Sequence, residues 1–174
     1  MQVGACADIL GSGEGQGWQR DNRVTVVIAD LEYIAAHMRE QDKREIYGMR
    51  WNEDPQELAF DTGLALNAGV GRLFHSEGKP AAVCGAMPVR AGVWSAFCYG
   101  TNEFHKVAKE ITAYAQGELA LHLKSQAHRV ECQSRFDHDR AHRWLAWLGA
   151  ERESTLRKFG SDGADYFNFV WTRG

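Results

Sequence analysis

The chain has 174 residues, a formal net charge of −3 and ordinary shares of apolar and charged residues, which together describe a water-soluble globular protein of one domain. The mild acidity argues against nucleic acid as a partner, and no apolar run reaches the roughly 18 residues needed to cross a bilayer. The first residues show no basic-then-apolar secretory pattern, so a cytoplasmic protein without membrane contact is expected.

Residues 1–22 are glycine-rich, with "GSGEGQG" at 11–17. A phosphate-cradling loop needs a strand before its glycines and a helix after them, and neither pattern is present. A flexible N-terminal segment ahead of one domain at 23–174 is therefore expected. "RVTVVIAD" (23–30) is short and β-branched and predicts a strand. The stretch 31–51 carries Leu31, Ile34, Ala35, Met38, Ile46 and Met49 at helical spacing. Asp54, Pro55 and Glu57 then open a helix with a cap, a first-turn proline and an acidic residue three positions on, and Asn67 to Gly69 close it.

Three strands follow at 71–76, 79–89 and 93–100, joined by "SEGK" and "RAG", links short enough for antiparallel hairpins. A helix from about Glu103 to Ser125 places Val107, Ile111, Ala115, Leu119 and Leu123 four apart on one face. "HRVECQSRF" (128–136) alternates as a strand, and "HDRAHRWLAWLGAE" (138–151) reads as a helix with Ala141, Trp144, Leu145 and Leu148 as its stripe. Trp147 lies at the edge of that stripe, as core or as an exposed anchor for a partner. "STLRKF" and "DYFNFVW" close the chain as a hairpin. The order is β-α-α-β-β-β-α-β-α-β-β: an α/β (α+β) domain with a mixed, mostly antiparallel sheet of about seven strands and four helices. The crossover between residues 93–100 and 128–136 implies one parallel pairing.

That order resembles the GCN5-related N-acetyltransferase (GNAT) superfamily over residues 23–174. The family's closing helix reads N-x-x-A-x-x-x-Y-x-x-x-G-F; here the matching positions hold His138, Ala141, Leu145, Gly149 and Ala150. Three shorter stretches, "REQDKREIYG", "YGTNEF" and "RWLAWLG", are similar to a GNAT-type family encoded by tailed bacteriophages. The resemblance implies acetyl-CoA as cosubstrate, held where the strand at 93–100 splays from the strand at 128–136. It also implies an amine acceptor on a protein, including a host protein, or on a small molecule. Phe97, Cys98 and Tyr99 would pair with the pantetheine arm, and Gly100, Thr101, Asn102 and Lys106 would meet the diphosphate at the following helix. The family's Q/R-x-x-G-x-G/A loop is reduced here to "GTNEF", with Glu103 at the helix start.

The family's proton-donating tyrosine is Leu145 here, so acid–base work falls to other residues. Tyr99 and His138 are the candidate donors, each with a packing or helix-start reading beside it. Asp42 and His105 are the candidate bases. Asp42 lies on the apolar stripe, but "DKRE" also reads as a capping box in which Asp42 caps and Glu45 reaches back. The cysteines Cys6, Cys84, Cys98 and Cys132 form no C-x-x-C pair and the histidines show no metal spacing, so free thiols and no metal are expected. The alternative to an acetyltransferase is a non-catalytic GNAT-like protein, a virion component or a binder of a host protein.

Overall fold

The computed structural model of the chain describes residues 22–173, with side chains from residue 27 onward. The expectation of a flexible glycine-rich start lies outside the described residues. Three helices come first: α1 (Asn22–Ala36), α2 (Glu40–Gly48) and α3 (Pro55–Ala68). The strand predicted at 23–30 is instead the start of α1. β-branched residues favour strands only weakly, and a buried face overrides that preference. Leu31, Ile34, Ala35 and Met38 are buried at spacings of three, four and seven, a helical stripe that packs with Leu58, Ala59 and Val83.

The helix predicted over 31–51 is broken at His37–Arg39, where Met38 bridges to Thr101. α2 therefore starts at Glu40, with Arg39 in the cap position and no side-chain cap bond. The capping role proposed for Asp42 is overturned, because Asp42 stands inside the first turn. α3 starts as read from the sequence: Asp54 accepts from the backbone N–H groups of Gln56 (2.8 Å) and Glu57 (3.4 Å).

A six-stranded sheet has the order β1-β2-β3-β4-β6-β5, one strand fewer than predicted because 23–30 is helical. β1 (Val70–Ser76), β2 (Lys79–Arg90) and β3 (Val93–Gly100) form an antiparallel meander. Its turns use Glu77 and Gly78, and then Gly92, with positive φ. After β3 the chain rises through α4 (Phe104–Tyr114), a π-helical turn at Ala115–Leu119 and α5 (Ala120–Gln126), then returns as β4 (Arg129–Arg135). α6 (Asp139–Trp147) follows, then β5 (Glu151–Leu156) and β6 (Tyr166–Thr172). β6 inserts between β4 and β5, antiparallel to both.

α1, α2 and α3 cover one face of the sheet; α4, α5 and α6 cover the other, over Phe74, Ala82, Trp94 and Val130. Trp147 is 62% exposed, which removes it from the core. Among the described residues no helix is long and apolar enough to cross a membrane. The helical stripe of α1 makes a test. Leu31→Ala and Ile34→Ala should each lower unfolding free energy by about 2–5 kcal/mol in urea titrations. Exposed Glu32→Ala should change it by no more than about 0.5 kcal/mol.

Candidate active site

β3 and β4 are neighbours but not a full ladder. They pair in parallel only at Val93, Trp94 and Ser95, opposite Arg129, Val130 and Glu131. Beyond Ser95 the two strands part, and the direction of the free amides follows from alternation. Thr101 donates its N–H to Ala81 on β2, whereas Gly100 donates away from β2 to Asp42. Successive strand residues present their polar groups to opposite sides. Ala96 and Cys98 share the parity of Gly100; the Ser95–Glu131 pairing takes the Ala96 N–H, which leaves the Ala96 carbonyl and the N–H and C=O of Cys98 facing the gap.

One turn of α2 is driven between the parted ends. Asp42 Oδ2 accepts the Gly100 N–H of β3 at 2.8 Å, and Glu45 Oε2 accepts the Arg135 N–H of β4 at 2.8 Å. Positions 42 and 45 lie on one helix face, so two adjacent carboxylates each terminate a different strand. Arg39 adds its own N–H to the Gly100 carbonyl at 2.9 Å and holds both Asp42 oxygens with its guanidinium, which lies over the Phe104 ring at 3.9 Å. Burial raises the Asp42 pKa above its ordinary value against the opposing pull of Arg39 and the Gly100 amide. With both oxygens engaged, Asp42 is a strut and not the expected base.

The Glu45 side is different, because it carries a histidine. Glu45 Oε2 accepts from Ser134 Oγ at 2.8 Å and meets His138 Nδ1 at 2.9 Å. A carboxylate oxygen can only accept, so Nδ1 carries the hydrogen. Nε2, the ring's other nitrogen, has no hydrogen-bond partner among the described residues. His138 and Glu45 are both buried, and both line a cavity of about 400 Å³ between α4 and α6 that reaches the parted strands. This is the arrangement of an oriented general base.

Other candidates fall elsewhere. Tyr99 faces the α1–α3 side; its hydroxyl meets Thr62 Oγ1 at 2.7 Å and burial pushes its pKa far up, so it lies outside the cavity and is not a donor there. Phe97 and Cys98 line the cavity. Gly100 and Thr101 have spent their N–H groups on Asp42 and Ala81, and the N–H groups of Glu103 and Phe104 fold back onto Thr101. Asn102 is exposed, and its carbonyl meets His105 Nδ1 at 2.8 Å. Lys106 is held between Glu103 (2.6 Å) and Glu77 (3.3 Å), away from the cavity. The Gly100–Lys106 set is therefore not a free anion seat. His105, on the first turn of α4, and Arg140, on the first turn of α6, line the mouth together with Arg39. Arg140 has no ion-pair partner among the described residues.

Glu45, Ser134 and Arg140 were not singled out as site residues from the sequence. The signal for Glu45 is present: Met38, Asp42 and Glu45 recur at i, i+4 and i+7, and all three are buried. Among the described residues no cluster of histidine, cysteine or carboxylate groups could hold a metal ion. Cys84, Cys98 and Cys132 are free thiols.

Solved structures of acetyltransferases share this GNAT-like fold. The chain is similar to a ribosomal-protein-alanine N-acetyltransferase from Brucella melitensis, with a TM-score of 0.64, 16% identity, and coverage of 84% of this chain and 96% of that one. It is also similar to Ard1 from Thermoplasma volcanium, at TM-score 0.62 and 14% identity over 83% of this chain and 92% of that one. An aminoglycoside 6'-acetyltransferase type Ii matches at TM-score 0.61 and 13% identity over 90% and 95% of the two chains. No protein-family model and no curated protein sequence matches the chain.

The carboxylate–imidazole pair makes a direct prediction. Glu45→Gln should release the His138 tautomer, so that 15N spectra of the ring show a mixture of Nδ1–H and Nε2–H forms in place of Nδ1–H alone. Glu45→Ala strands three buried donors and should lower unfolding free energy by at least about 3 kcal/mol.

Proposed function

We propose that this chain is an acetyl-CoA-dependent N-acetyltransferase acting on an amine of a protein or small molecule. The observation that carries the reading is the parting of β3 from β4 with an oriented imidazole at its edge. The residues present fit the pantetheine portion of the cosubstrate: the Ala96 carbonyl and the N–H and C=O of Cys98 offer an unpaired strand edge to its amide groups, as in strand addition. For the diphosphate the fit moves. His105, on the first turn of α4, Arg140, on the first turn of α6, and Arg39 line the cavity and are the basic side chains that would meet it. Acetyl-CoA supplies the activated acyl carbon.

The protein's own groups supply the rest. The amine must lose a proton as the C–N bond forms, and His138 Nε2 takes it. Glu45 stabilises the resulting imidazolium, while Ser134 Oγ and the Arg135 amide fix the carboxylate. The gap-facing N–H of Cys98 steadies the negative charge on the carbonyl oxygen. The proton held at Nε2 then goes to the departing thiolate, which balances the transfer without Leu145 or Tyr99.

The second reading is a non-catalytic GNAT-like binding protein; the short likeness to a phage-encoded family accords with either reading. It is favoured by the engaged amides at the start of α4 and the pairing of Lys106 with two carboxylates.

Calorimetry and kinetics separate the two. CoA at about a hundred times its Kd should add about 2.7 kcal/mol of stability; no stabilisation at millimolar CoA would favour the second reading. His138→Gln should lower kcat by about 10²- to 10⁴-fold with KM little changed. Arg140→Ala should weaken CoA by roughly tenfold, and Lys106→Ala should not. Tyr99→Phe should cost about 1 kcal/mol of stability and no turnover.

A further inference from the structure

The cavity beside His138 does not end at the parting of the strands. A second lobe of about 750 Å³ shares Ala96, Phe97, Cys98, Cys132, Trp144 and Leu145 with it. It continues between the sheet and the rod formed by α4, the π turn and α5. The first lobe opens at Phe104 and His105, at the start of that rod; the second reaches Leu123 and Ala127 at its end. The two lobes therefore adjoin along Ala96–Cys98, and the second extends over Arg129 and Val130, where β4 is paired with β3. Trp144 stands between them, its indole N–H donating to Thr112 Oγ1 at 3.0 Å.

The chemistry of the second lobe is apolar and its walls are small. Gly85, Ala115, Ala120 and Ala127 leave the space, and Leu119, Val130, Leu148 and Trp171 line it. The π turn widens the rod where it passes over the lobe. Charged groups gather only at the far rim, at Lys124, Arg129 and Arg173. An acetyl group brings a single methyl to the parting of the strands and leaves this lobe untouched, whereas a volume in this range suits a sizeable organic ligand. A thioester entered from the His105 mouth points its acyl end at the lobe.

The geometry points to a donor with a hydrocarbon chain: the second lobe binds the tail of a medium- or long-chain acyl thioester, and the transferase moves that acyl group to the acceptor amine. The inference rests on the proposed CoA site. The balance of the step is unchanged: the acyl C–S bond breaks, a C–N bond forms, and the amine proton ends on the thiol.

Binding of bare CoA, acetyl-CoA, octanoyl-CoA and dodecanoyl-CoA to the full chain tests it by calorimetry. Affinity should rise by about two- to fourfold per buried methylene from acetyl to octanoyl. Ala120→Trp should abolish that rise, measured relative to bare CoA in the same variant. If that variant fails to fold, a bromine on the outer half of the octanoyl chain should quench tryptophan fluorescence in the wild type, through Trp171 and Trp144. Equal affinity for bare CoA and every chain length would overturn the acyl-tail site and leave the CoA site standing. Binding of none of the four would overturn both.

Discussion

The site depends on two carboxylates one helical turn apart. Asp42 and Glu45 of α2 each accept a backbone N–H at the end of a different strand, Gly100 on β3 and Arg135 on β4. Parallel neighbours that pair at Val93–Ser95 would ordinarily continue to pair, since an unpaired strand edge leaves amides without partners. Here the terminal amides are satisfied by side chains instead. Hydrogen bonds to charged acceptors are among the stronger ones in a protein interior, so the parted state has a specific source of stability. The Ala96 carbonyl and the Cys98 N–H and C=O, between the closed end and the wedge, are left facing the gap.

The same wedge explains why the chemistry sits where it does. Asp42 is neutralised by Arg39 and has no spare oxygen. Glu45 has no arginine and instead meets an imidazole, so the second strut doubles as the orienting partner of a base. In the proposed reading, engaging Gly100 removes one N–H from a diphosphate seat, and the basic side chains that line the cavity are Arg39, His105 and Arg140. Strand separation, base orientation and the displaced anion seat thus follow from one element placed at one register.

Much of the fold was legible locally. Asp54 and Pro55 mark a helix start through groups within three residues, and Glu77–Gly78 and Gly92 mark turns through backbone conformations that few residue types adopt. The crossover and the closing helix followed from length and stripe. The start of α1 was not legible, because a β-branched run becomes helical only when α3 and β2 supply a face to bury Leu31 and Ile34. The site was half legible. His138 stood out by its place before α6 and Asp42 by its place on the stripe. Glu45 needs Ser134 and Arg135, which arrive from 89 and 90 positions away. Tyr99 misled because strand parity, which sends Phe97 and Tyr99 to one face and Cys98 to the other, is set by the register with β2.

Amide hydrogen exchange at Cys98 tests the wedge most directly. In the free chain this amide should exchange fast while those of Phe97 and Tyr99, bonded to β2, and of Ala96, bonded to β4, stay protected, and acetyl-CoA should then protect Cys98. Slow exchange at Cys98 without ligand would mean that β3 and β4 are paired beyond Ser95, and would contradict the account.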